Sequence, residues 1–219
     1  GADLSSSELI EWMTDESNYQ KAGEFGTLAG AESGNRQLNL SGSRFYNCTI
    51  DDCTLPGTDF SDALVELTNV IGTGKNPTML NGSNFESAYL KRTFFTNVNL
   101  SGALMTRVRM EDCRVEASNL AGASFIDAEL TDCTFSQDCD FNGTSFKGAD
   151  LEGVDFSGAD LTNANLSGCS TKGLKGTLPQ LPLDCRIGRD TTVVSDSTGA
   201  EIRRDISDTY FIIVNEGRY

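Results

Sequence analysis

The sequence predicts an all-β solenoid, and three observations carry that prediction. From Leu40 an apolar residue returns at every fifth position, the residue two places before it is small, and the other three positions are mostly polar. A period of five fits neither the 3.6-residue helix nor the two-residue strand. A short fixed period sustained over many repeats marks a chain that coils and stacks on itself, and such coils usually bind rather than catalyse.

The central apolar positions begin Leu40, Phe45, Ile50, Leu55, Phe60, Val65, Val70 and resume at Leu80. They hold to Phe135, slip by one residue, and continue as Phe141, Phe146, Leu151, Phe156, Leu161 and Leu166. Of 27 centres between 40 and 171, 25 are Leu, Ile, Val, Phe or Met, with Lys75 and Thr171 the exceptions. Of the 27 residues two places upstream, 26 are Ala, Ser, Thr, Cys or Val, and Leu38 departs. One large and one small side chain per pentad, both inward, suit a narrow tube with the remaining positions facing water.

Segments such as Gly148-Ala149-Asp150-Leu151-Glu152-Gly153 and Ala159-Asp160-Leu161-Thr162-Asn163 closely resemble the pentapeptide-repeat family. The resemblance covers residues 38–171. It implies a right-handed quadrilateral β-helix with four pentapeptides per coil and about six to seven coils, a rod of ~30 Å at ~4.8 Å per coil. Centres twenty residues apart then stack. One stack reads Phe45, Val65, Phe85, Met105, Phe125 and the opposite one Phe95, Val115, Phe135. Leu80, Leu100, Leu120 and Leu90, Met110, Leu130 lie between them. Phenylalanines alternating with smaller residues read as volume matching in a packed core.

Two irregularities interrupt the frame. At Gly72-Thr73-Gly74-Lys75-Asn76-Pro77 a lysine stands at an inward centre, so the sequence predicts a protruding loop with Gly74, Lys75, Asn76 and Pro77 at its tip. Such a loop is either a tolerated insertion or a contact element on a rigid scaffold. The extra residue within 136–140 reads as a bulge that keeps the flanking coils in register.

The frame divides the chain into an N-terminal helix and connector (1–37), the repeat region (38–171) and a C-terminal β-rich tail (172–219). Ser5-Ser6-Ser7-Glu8 fits a helix start and predicts a short helical cap over 6–21. After Thr171 the beat stops, and Leu178-Pro179-Gln180-Leu181-Pro182 reads as the exit. Residues 191–194 and 209–214 read as strands that cap the last coil, pair with each other, or join two copies, so the chain is a monomer or a homodimer through its tail. The absence of an initiator Met fits a piece of a larger or processed protein.

Net charge is −15. Direct nucleic-acid binding is excluded, because phosphate recognition needs basic surface. Glu111 and Asp112, Glu129 and Asp132, and Asp150 and Glu152 should fall on one side in three successive coils. That stripe reads either as a soluble polar face or as a DNA-like surface for a basic groove. Lys91, Arg92 and Arg109 on the same side partly neutralise it.

Six of seven cysteines occupy the small inward position and read as buried thiols, which fits a cytoplasmic setting and leaves a lumenal or secreted one open. There are no histidines, which removes Ser-His-Asp and Cys-His catalysis and the commonest metal ligand. Gly72-Thr73-Gly74-Lys75 lacks the first Gly and the final Ser/Thr of a phosphate loop. No signal peptide or membrane-spanning run is visible. The expectation is a non-enzymatic, cofactor-free protein-interaction or structural adaptor module. The alternative, implied by the resemblance, is a DNA mimic acting on DNA gyrase or another type II topoisomerase. Family members such as the quinolone-resistance proteins act in that way.

Overall fold

A computed structural model describes residues 27–29, 38–73, 75–188, 191–195, 201–205 and 211–214. The helix expected over 6–21 lies outside these residues, as do Gly74 and residues 209–210. From Leu38 onward the chain winds into a four-sided parallel coil, the all-β solenoid that the five-residue beat predicts.

Each face is named here for its first residue. Asn39, Asp59, Asn84, Leu104, Ser124, Ser145 and Asn165 bridge in succession up the Asn39 face. The Arg44 face pairs Arg44, Leu64, Tyr89, Arg109, Glu129, Asp150 and Ser170. The Thr49 face pairs Thr27, Thr49, Asn69, Phe94, Arg114, Thr134, Asp155 and Lys175. The Thr54 face pairs Thr54, Met79, Asn99, Asn119 and Asp140, and further on Asp160 with Gln180. The parallel bridges therefore continue past Thr171 to Gln180, and Leu174 is fully buried.

The polar positions have definite jobs beyond facing water. The residue before a centre is often Asn or Asp, and its Oδ1 accepts the N–H of the residue after the centre. Asn39 with Ser41, Asn99 with Ser101 and Asp160 with Thr162 all do so at 3.0 Å. The residue two after the centre turns the corner with positive φ. Gly, Asn and Asp at Gly57, Asn47 and Asp112 tolerate that conformation best. Inward thiols and hydroxyls bond to the coil walls; the Thr144 hydroxyl donates to the Leu120 carbonyl at 2.8 Å.

The stacking departs from a strict twenty-residue rule at two places, and the first changes which centres meet. Val65 stacks on Leu90, not Phe85, because the 72–77 excursion takes one pentad out of the wall. Phe85 instead follows Phe60 on the Asn39 face, with ring centroids 4.8 Å apart and planes within 7°. Phe125 and Phe146 stack at 5.1 Å, and Phe135 and Phe156 at 5.3 Å on the opposite Thr49 face. Phenylalanines thus concentrate on two opposing sides but stack in neighbouring pairs rather than in strict alternation, since offset face-to-face contact is favourable in itself. The extra residue near 137 is absorbed at a corner. Ser136 N–H still reaches the Val115 carbonyl and Asp140 N–H the Ser118 carbonyl, so register is kept.

In the tail, Thr191–Ser195 pairs antiparallel with Glu201–Asp205, and Cys185–Gly188 with Phe211–Val214. The two expected strands do not pair with each other. Their partners carry weak strand signals in the sequence, since one has four charges in five residues and the other ends in glycine. Ile212 is buried, and its N–H and C=O both bond the Thr171 hydroxyl, at 2.8 and 3.0 Å. The polar residue at the last centre is therefore satisfied by the tail. No helix among the described residues is long and apolar enough to cross a membrane.

Candidate interaction face

The six carboxylates singled out in the sequence lie together. Glu111, Glu129, Asp150 and Glu152 are on the Arg44 face, and Asp112 and Asp132 occupy its following corner with φ near 52°. The ladder sets one rung between successive members, ~4.8 Å. Stacked like charges repel, and the structure brings cations to most of them. Glu111 Oε1 takes the Arg109 guanidinium at 2.7 Å, and its Oε2 accepts the Tyr89 hydroxyl at 2.7 Å with Lys91 at 3.5 Å. The Tyr89 hydrogen bond, then Arg109, holds the Glu111 carboxyl below the usual carboxylate range, and the same bond raises the Tyr89 phenol. Arg109 also lies over the Tyr89 ring, 5.4 Å from its centroid.

Asp112 faces Arg92 at 3.8 Å and Glu129 faces Arg109 at 3.9 Å. Asp132 is held by Lys175 at 2.6 Å, from two coils further along. Lys175 reaches that far because the intervening corner is Gly153. A Cβ there would stand 2.6 Å from Asp132 Oδ1 and 3.6 Å from Lys175 Nζ. Asp150 and Glu152 make no ion pair among the described residues; Asp150 Oδ1 accepts only the Glu152 N–H, at 3.3 Å. Charge is therefore segregated along this face. Its first coils carry Arg44, Lys91 and Arg92 against Glu66, its later coils carry Glu129, Asp132, Asp150 and Glu152, and the exposed Lys172 closes this acidic band on the last coil. Arg109, Lys91 and Arg92 are recognisable from sequence as neutralisers. Tyr89 and Lys175 are not, since their roles depend on side-chain reach across rungs.

The 72–77 excursion is a tight turn. Asn76 N–H donates to the Thr73 carbonyl at 3.0 Å, and Lys75 and Asn76 are exposed while Pro77 is half-buried. Asp52, on the preceding coil, anchors the turn by accepting the Thr73 N–H at 2.6 Å and the Thr73 hydroxyl. These two bonds hold the Asp52 carboxyl below its ordinary range. At the neck Gly72 is buried against backbone.

On the Thr54 face no bridge joins Asp140 to Asp160, and a cavity of about 210 Å³ opens there beside Phe141 and Thr162. Five of the seven cysteines, Cys48, Cys53, Cys113, Cys133 and Cys139, are buried, and Cys169 and Cys185 are half-buried. Burial pushes the Cys169 and Cys185 thiols up to about 11, which makes both poor nucleophiles. Among the described residues no group of three or more His, Cys, Asp or Glu is placed to hold a metal ion.

Models of known families match the coil: a pentapeptide repeat region over residues 108–175 and pentapeptide repeats over residues 78–107. Residues 78–175 are pentapeptide repeats. Among solved structures it is similar to a trypsin-treated form of QnrB1, a plasmid-mediated fluoroquinolone resistance protein, with 21% identity over 74% of this chain and 92% of that one, at a TM-score of 0.37. It is also similar to HetL, a pentapeptide-repeat protein involved in heterocyst differentiation regulation from the cyanobacterium Nostoc sp. strain PCC 7120, with 15% identity, 83% and 95% coverage and a TM-score of 0.30. Rfr23 from the cyanobacterium Cyanothece 51142 gives 14% identity, 74% and 86% coverage and a TM-score of 0.16. Comparison with the curated proteins gives no match.

Proposed function

We propose that this pentapeptide-repeat protein is a non-enzymatic interaction or adaptor module that offers the later coils of its Arg44 face to a basic surface on a protein partner. The observation that carries the reading is the acidic band on one laddered face, between the cationic first coils and Lys172, with Asp150 and Glu152 in no ion pair among the described residues. Carboxylates held one rung apart on a stiff wall need no reorganisation on binding, and their summed field steers a basic partner more than it adds affinity. Lys75, Asn76 and Pro77, with Gly74, form the second contact proposed, on the same scaffold.

The test compares the intact protein with a Glu129→Gln, Asp132→Asn, Asp150→Asn, Glu152→Gln variant in quantitative partner capture at rising salt. Capture that is salt-sensitive and lost in the variant supports the reading; equal capture by both proteins refutes it. A second reading, a DNA mimic acting on DNA gyrase, draws on the same rung-spaced carboxylates along the parallel ladder. A supercoiling titration with and without a quinolone separates it. Inhibition or drug protection that vanishes in the variant favours the mimic, and no effect at micromolar protein leaves the adaptor.

A further inference from the structure

At the corner between the Arg44 and Thr49 faces, the first coils expose apolar side chains on an otherwise polar surface. Tyr46 is 47% and Phe94 38% exposed. Leu67 turns the corner on the coil between them, since Tyr46 pairs with Glu66 and Asn69 with Phe94. Leu67 does so with φ at 53°, a left-handed conformation that a branched apolar residue adopts only at a cost of ~1–2 kcal/mol. Asn47, at the same corner one coil earlier, shows the residue type that adopts it readily. A strained apolar residue between two exposed aromatics is unexpected on a freely solvated corner.

The patch lies at the cationic end of the Arg44 face. Arg44 is exposed with no ion pair among the described residues, Arg92 makes only an exposed pair, with Asp112 at 3.8 Å, and the half-buried Lys91 lies 3.5 Å from Glu111. An exposed pair such as that of Arg92 with Asp112 exchanges partners at little cost.

We propose that residues 1–26 of the same chain occupy this corner. The point of attachment favours it: Thr27 pairs in parallel with Thr49, so the chain arrives at Thr27 from the side of the Asn47 corner, one coil from Tyr46. The composition is complementary. Residues 1–26 contain six acidic residues against Lys21, to set beside the cations, and Leu9, Ile10, Trp12 and Met13, to cover the apolar corner. The reach is ample, because the patch spans two rungs, ~10 Å, and even a helix of 26 residues is longer than that.

Trp12 is the sole tryptophan of the chain and reports directly. Its emission and its quenching by acrylamide are measured in the full chain, in a Leu67→Asn, Phe94→Thr variant, and in a Leu104→Asn control on the Asn39 face. Leu67→Asn relieves the left-handed strain, so the rod stays folded while the patch loses its apolar centre; a melt followed by circular dichroism verifies this. The expected result is a shielded, blue-shifted Trp12 in the full chain and the control. In the double variant a red shift and a severalfold rise in quenching are expected, all independent of protein concentration. Trp12 emission already typical of water, or unchanged by the double variant, overturns the proposal. A shift that appears only as concentration rises also overturns it, because a second copy is then the occupant.

Discussion

Replacing Gly72 by alanine puts one methyl group into the neck where the chain leaves the coil and returns. The added Cβ would stand 2.5 Å from the Thr78 nitrogen, 2.6 Å from Pro77 Cα, and closer still to the Asn97 carbonyl oxygen. All three neighbours are backbone, so no side chain can rotate away. The neck must widen by most of an ångström, at the expense of the Gly72 N–H bond to Thr96 at 2.9 Å or the Thr78 N–H bond to Asn97 at 3.2 Å. Overpacking of this kind costs ~1–3 kcal/mol and a lost buried hydrogen bond ~1 kcal/mol more, so the expected destabilisation is about 2–4 kcal/mol. For a chain of this size that lowers Tm by roughly 5–15 °C. Urea denaturation monitored by circular dichroism reads it as a lower midpoint at unchanged slope. Gly57→Ala is the comparison. Its Cβ would meet nothing within 4 Å, and only its φ of +66° opposes the change, a penalty of ~1–2 kcal/mol. If Gly72→Ala is no worse than Gly57→Ala, the closed-neck argument is wrong.

Further predictions follow from the tail, the thiols and the loop anchor. Thr171→Val leaves the Ile212 N–H and C=O without their partner and should cost ~1–3 kcal/mol, read as faster proteolysis after residue 180 than in the intact protein. In the native protein Cys169 and Cys185 should alkylate slowly at pH 8 and faster as pH approaches 11, with Cys113, Cys133 and Cys139 modified only after unfolding; mass spectrometry of the labelled peptides decides this. The Asp52 carboxyl, depressed by Thr73, stabilises the loop anchor fully above the ordinary carboxylate range. It loses that contribution as pH falls through its own lower value. An NMR titration should therefore show Thr73 amide shifts moving at acid pH in the intact protein and not in Asp52→Asn.

The inward positions were legible because volume inside a narrow tube leaves few choices. Alternating large and small residues declare the wall, and the break at Lys75 declares the loop. The register across that loop was not legible for a specific reason. The excursion removes one whole pentad, so the five-residue phase is unchanged while the chain advances by one face. Phe85 therefore sits above Phe60 instead of Val65, although every residue keeps its place in the beat. The corner and Asx positions carried a signal of their own, Gly, Asn or Asp two after the centre and Asn or Asp one before it. Leu67 hides that signal where it is most informative. At the candidate face, sequence placed the carboxylates correctly on one side. It could not show that Tyr89 reaches Glu111 or that Lys175 crosses a bare Gly153 to Asp132, because those contacts depend on side-chain length measured against rung spacing.

The neck at Gly72 and Thr78 also separates what the loop contains from what the wall requires. The wall needs two strand ends brought side by side, with Gly72 on one and the Thr78 hydroxyl bonded to the Ile71 carbonyl on the other. Apart from Thr73, which Asp52 anchors, it places little demand on the residues that travel between them. Foreign peptides whose ends meet at that spacing are therefore graftable here, with the coil above and the coil below still clasping each other.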